Sequence, residues 1–192
     1  MANVAQEQLE AALAADAEAQ RALMAGRRGG ARRALRDAAR HYRASWEAAG
    51  PAAYGRLIGL LKASILAGDA SEAAAYVRAQ LGPEGASPPA WYALGLAALV
   101  DADDALAARA ADGMAAGGDA FARAAAAIGA LAAGDGAAYR AALGAIVADF
   151  EARAEHLTGV AIADTALVLE ALALPRGLAV HPASPVLPTA GL

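Results

Sequence analysis

The residues in this chain best suited to chemistry are arginines. Seven lie between positions 27 and 43, and Arg28, Arg32, Arg36, Arg40 and Arg43 recur every three or four residues. On a helix this spacing gathers them on one side. Leu35, Ala38, Tyr42 and Trp46 fall on the other side and form its apolar face. Only Asp37 opposes the arginines from within the run. Like charges this close repel one another, so the stripe needs carboxylates or phosphates nearby. One source is a docked acidic protein partner. The other is the chain's own acidic start, through Glu7, Glu10, Asp16 and Glu18. Nucleic acid is not expected, because the net charge is −4 and the only lysine is Lys62.

The remaining polar clusters point away from catalysis. Asp101, Asp103 and Asp104 could hold a cation, but Ala105 and Leu106 follow directly. They read better as a helix start, where carboxylates offset the positive end of the dipole. Glu151 and Glu155 share a helical face, whereas His156 is turned about 100° from Glu155. A metal there would have to borrow His41 or His181 from far away, so no metal and no cofactor are expected. The chain has no cysteine, which removes thiolate chemistry and disulfides. No G-x-S-x-G elbow, Lys-Ser/Thr phosphate loop or G-x-G-x-x-G after a strand is present. These features favour binding over catalysis. An active site assembled from distant helices would leave no local motif, so a small all-α enzyme stays open.

The elements that carry these groups should all be helices. About one residue in three is alanine, the best helix former, and aromatic residues make up 5%. Apolar periodicity and Gly, Pro and Asp punctuation predict helices at about 4–25, 31–48, 52–67, 71–81, 89–100, 102–115, 119–133, 136–153 and 162–174. The pairs Gly68-Asp69, Gly118-Asp119 and Gly134-Asp135 repeat as stop-and-start signals, and Trp91-Tyr-Ala-Leu94-Gly95 matches the W-x-x-L-G opening of a tetratricopeptide repeat. The expected fold is all-α. It consists of antiparallel helix pairs, in a tetratricopeptide-like α-solenoid or an irregular bundle, within one domain over 1–192. The loop at 82–89 is either a subdomain joint or a long helix connection. Three prolines make 177–188 an extended tail that packs back on the body.

Charge is unevenly spread. Residues 21–78 hold eleven basic and four acidic side chains, and residues 79–192 hold five and twelve. The acidic N-terminus lacks the basic-then-apolar pattern of a secretory signal. No uncharged apolar run reaches the roughly 18–20 residues that span a bilayer. A cytoplasmic protein without a membrane partner is therefore expected. The preference for Arg over Lys, with so much Ala and Gly, points to a GC-rich bacterial genome.

The last stretch carries a more specific pattern. Phe150-Glu151-Ala-Arg153-Ala-Glu155-His156, then Gly159, Asp164, Arg176-Gly177-Leu178 and Ser184-Pro185-Val-Leu187-Pro188 resemble the C-terminal signature of the immunity 49 family. These are all-α immunity proteins of bacterial polymorphic toxin systems, with related-looking chains in actinobacteria. About 40 of the 192 residues carry the resemblance, and Pro175 departs from it. It implies a protein that captures a cognate toxin and has no catalysis of its own. It also implies that His156, Asp164, Arg176, Gly177, Ser184, Pro185, Leu187 and Pro188 are architectural, with contact left to the Arg helix or a concave face. The alternatives are a tetratricopeptide-like scaffold for an endogenous protein or peptide, and a small-molecule binder or enzyme of secondary metabolism. The last would need a pocket ringed by Trp46, Trp91, Tyr92 or Tyr139.

Overall fold

A computed structural model describes residues 2–189. Within them lie nine α-helices and no strand: α1 (Ala2–Met24), α2 (Arg28–Ala48), α3 (Tyr54–Ala67), α4 (Ser71–Leu81), α5 (Pro88–Val100), α6 (Asp104–Met114), α7 (Asp119–Ala133), α8 (Gly136–Glu151) and α9 (Asp164–Ala173). A 3-10 turn at Leu174–Arg176 follows. None of the described helices is long and apolar enough to cross a membrane.

Local chemistry sets the boundaries. Gly68 and Gly134 end α3 and α7 in the left-handed conformation, which relieves the last carbonyls without a Cβ clash. Asp103 and Asp135 cap α6 and α8 by accepting backbone N–H bonds, from Leu106 and from Ala137 and Ala138. Pro88 and Pro89 open α5, where their missing N–H groups cost nothing. Pro175 cannot continue α9, so the helix tightens into the 3-10 turn and stops at Gly177.

Short connections force successive helices to pack antiparallel. Helices α3, α5, α7 and α9 also contact one another in succession, and α9 touches α3 as well. The row therefore closes on itself. The expected open concave face is occupied by α9, whose residues Ala166–Glu170, Leu172 and Ala173 are all buried. Helix α5 is likewise buried from Tyr92 to Leu99, as befits a central helix. One contiguous cluster of buried residues extends from Ala12 to Leu187, on both sides of the loop at 82–89.

Small residues admit the few large ones. A Cβ on Gly59 of α3 would lie 2.6 Å from the Tyr42 ring of α2, and one on Gly85 would lie 2.6 Å from the Trp91 indole. Those glycines are slots for rings.

Residues 177–189, after the 3-10 turn, have no helix or strand. Glu170 holds it. This carboxylate, 5% exposed, accepts from Val180 N (3.0 Å), His181 N (2.6 Å) and Tyr139 Oη (2.9 Å). Further along, Val186 O accepts from Ala163 N at 2.8 Å, and Leu187 is 6% exposed within the core. Replacing Leu187 with Asp forfeits that apolar burial and places a charge in it. We expect Leu187→Asp to lower the unfolding free energy by at least ~2 kcal/mol in urea melts. An unchanged melt would mean the tail does not contribute to the core.

Candidate functional site

Helix α2 separates two polar sites. Its apolar face packs on α1, burying Ala31, Ala34, Leu35, Ala38, Tyr42, Ser45 and Trp46. Among the described residues, Arg32, Arg33, Arg36, Arg40 and Arg43 make no salt bridge with the carboxylates of α1. Instead, Glu7 and Glu10 accept from Asn3 and Gln6 on their own helix, and Asp16 accepts from Tyr42. The arginines find acids on α2 itself and around α4. Arg36 Nε lies 2.8 Å from Asp69, Arg40 Nη2 lies 2.5 Å from Asp37, and Arg43 reaches Glu47 at 3.1 Å and Glu72 at 3.0 Å. The Arg43 guanidinium also sits 4.2 Å above the centre of the Tyr76 ring.

Between α2, α3 and α4 these residues line an open groove of about 640 Å³. Arg32, Arg33, Arg36, Arg40 and Arg43 face Asp37, Asp69 and Glu72 across a floor that includes Leu60 and Ala73. Arg28, at the start of α2, lies outside this lining, and Arg33 takes part in it. Arg32 and Arg33 have no salt-bridge partner among the described residues. The groove thus keeps positive charge to spare.

The signature residues of the C-terminal stretch are spread over several contacts. Arg176 is 15% exposed and donates to Leu99 O and Leu172 O, and it meets Asp104 at 3.1 Å. It thereby joins α5, α6 and α9. Gly177 adopts φ +68° to end the 3-10 turn. Ser184 Oγ donates to Glu151 at 2.6 Å, Pro185 begins the turn that carries Leu187, and Pro188 is half-buried. His156 stacks on Phe150, with ring centres 6.2 Å apart, and its Nδ1 is buried without a hydrogen-bond partner.

Asp164 belongs to a second site. Lys62 of α3, 18% exposed, donates to Asp164 Oδ2 at 2.9 Å and to Thr165 Oγ1 at 2.8 Å. Asp16, Gln20 and Tyr42 approach from α1 and α2, and the segment 156–162 covers the remaining side. Together they line a cleft of about 220 Å³. Burial works hardest against the Lys62 charge, but Asp164, Tyr92 and Asp16 together outweigh it and raise the pKa. Burial pushes the Asp16 carboxyl up to about 6, and the nearby Asp164 adds to this, while the Tyr42 hydrogen bond opposes it. Tyr42 is raised in turn, by burial and by Asp16. Sequence reasoning missed Lys62 and Gln20. The available signal was that Lys62 is the one lysine among sixteen basic residues.

The aromatics expected around a small-molecule pocket are packing residues instead. Trp46, Tyr92 and Tyr139 are buried, and none of these or Trp91 lines the groove or the cleft. Among the described residues no three His, Asp or Glu side chains converge to hold a metal ion. No family model, curated protein or solved structure matches the chain.

Asp16 gives the cleft a pH dependence. The native state holds this proton more tightly than the unfolded chain does, so between about pH 4 and pH 6 it binds the extra proton and stability falls as pH rises. Asp16→Asn removes the charge and keeps an acceptor for Tyr42. It should be more stable than the parent by about 1–2 kcal/mol near neutral pH, with the difference vanishing near pH 4. Urea melts across that range check both the sign and the window.

Proposed function

We propose that this protein is a binding protein that captures an acidic segment of a protein partner in the groove between α2, α3 and α4. One observation carries the reading. Arg32 and Arg33 stand in an open groove without acidic partners, beside an apolar floor and the Tyr76 ring. A segment alternating carboxylates with apolar side chains fits both features, and complementary charge steers its approach. The succession of α3, α5 and α7 contacts supports a tetratricopeptide-like stack as the scaffold, closed on one side by α9. Within this reading the partner is a cognate toxin, the protein neutralises it by occupancy alone, and the encounter takes place in the cytoplasm. The C-terminal resemblance supports the toxin, and the unneutralised groove supports occupancy.

The test is co-expression. The product of the gene immediately upstream is induced in a bacterial host with and without this chain, and a complex is isolated from the same cells. Growth arrest relieved by a stable complex supports toxin neutralisation. A complex without toxicity leaves the acidic-partner reading and removes the toxin. The triple variant Arg32→Glu, Arg36→Glu and Arg40→Glu then locates the contact. Exposed ion pairs contribute only about 0–1 kcal/mol each, so helicity should survive. Partner affinity should fall at least about 100-fold, or ~2.7 kcal/mol. Undiminished affinity would place the interface elsewhere.

A further inference from the structure

The cleft around Lys62 holds polar groups that its own architecture does not use. Asp16 Oδ2 accepts from Tyr42 Oη at 2.7 Å, but Asp16 Oδ1 has no hydrogen-bond partner and remains accessible where Asp16 lines the cleft. Gln20 is 6% exposed, and its Oε1 accepts from Thr158 Oγ1, which in turn accepts from Val160 N. That arrangement leaves the Gln20 Nε2 amide as an accessible donor without a partner. Lys62 uses two of its three N–H groups, on Asp164 and Thr165. The Arg153 guanidinium at the rim is engaged by Asp149 at 2.5 Å and lies over Phe150. Asp149 is shared with Arg123, also at 2.5 Å. Deeper in the cleft the Asp16 and Asp164 carboxylates face the Lys62 ammonium. It offers a free acceptor, Asp16 Oδ1, and a free donor, Gln20 Nε2, with the Lys62 ammonium beside them.

We infer that this cleft is a binding site for a small molecule carrying a primary ammonium group next to a carbonyl or carboxylate, the chemistry of a small α-amino acid or its amide. The ammonium donates to Asp16 Oδ1. The neighbouring oxygen accepts from the third Lys62 N–H and from Gln20 Nε2. Each of these groups would otherwise have only water to answer it. The volume of about 220 Å³ lies below the ~300–1,000 Å³ of sites for drug-sized ligands, which restricts the ligand to a small one. Gly55, Ile58 and Gly59 form the α3 wall; Gly55 faces open space, whereas the Tyr42 ring fills the space beside Gly59. The site is independent of the arginine groove.

Four probes separate the contributions: L-alanine, L-alaninamide, propionamide and propylamine. Each is titrated into the uniformly ¹⁵N-labelled full chain, and backbone amide shifts are followed near neutral pH. Saturable shifts at Asp16, Gln20, Lys62 and residues 156–165 are expected with alanine, alaninamide or both, and which of them binds identifies acid or amide as the preferred form. Propionamide, without the ammonium, and propylamine, without the acceptor, should bind at least about tenfold more weakly. Asp16→Asn, which retains the Tyr42 bond, should cost a similar factor, and Gln20→Met should do so with the charge set intact. A circular dichroism melt accompanies each variant, so that if one unfolds the other decides. The inference is overturned if neither alanine nor alaninamide gives saturable shifts at millimolar concentration. It is also overturned if propylamine or propionamide binds as well as they do, or if the folded variants bind undiminished.

Discussion

The constraint on which this structure depends is the small size of its side chains. With alanine at a third of all positions, each buried residue removes little apolar area from water. Helices must approach closely for the sum to suffice, and some of the rings fit where a glycine faces them. Tyr42 against Gly59 and Trp91 against Gly85 are such places. The same constraint explains why α5 and α9 are buried on nearly all sides. A central helix multiplies the number of thin contacts that each alanine can make.

A core of this kind is close to uniform, and alanine against alanine specifies register weakly. Polar clamps between distant parts of the chain supply what it lacks. Lys62 meets Asp164 across 102 positions, Thr158 meets Gln20 across 138, and Arg176 ties the ends of α5 and α9 to the start of α6. Glu170 does the same for the tail, since its buried carboxylate is satisfied only when Tyr139 and the backbone at 180–181 are all in place. Removing any one partner strands a buried polar group, which costs about 1–3 kcal/mol and penalises alternative registers by a similar amount. The clamps therefore act on specificity at least as much as on stability.

This division of labour decides what could be read from the sequence. The all-α class and most helix limits follow from local signals, and Gly68, Gly134, Asp103 and Asp135 punctuate as their residue types require. The polar clamps are not local. Nothing around Lys62 points to Asp164, and nothing around Glu170 points to Tyr139. The sequence offered the acids of α1 as one of two sources of charge for the arginines of α2, because both sets were unbalanced. That expectation ignored which face of α2 meets α1. Tyr42 and Ser45 lie on that face and the arginines lie opposite, so Asp16 meets a phenol instead of a guanidinium. The closure of α3 on α9 was equally out of reach. It depends on the accumulated turn of four successive helices, which no single segment encodes.

The lone lysine shows how strongly position can override composition. Fifteen of the sixteen basic residues are arginine, so a bias toward arginine acts everywhere except at position 62. A guanidinium is a planar fork suited to a carboxylate presented edge-on, and it is bulky. The cleft offers something different: a carboxylate oxygen and a hydroxyl at 2.9 and 2.8 Å, from adjacent residues at the start of α9. A compact ammonium, with donors in tetrahedral directions, reaches both. Arginine would either fill the cleft or leave the hydroxyl unanswered. The geometry at this position therefore selects lysine for the same reason that it keeps the cleft open.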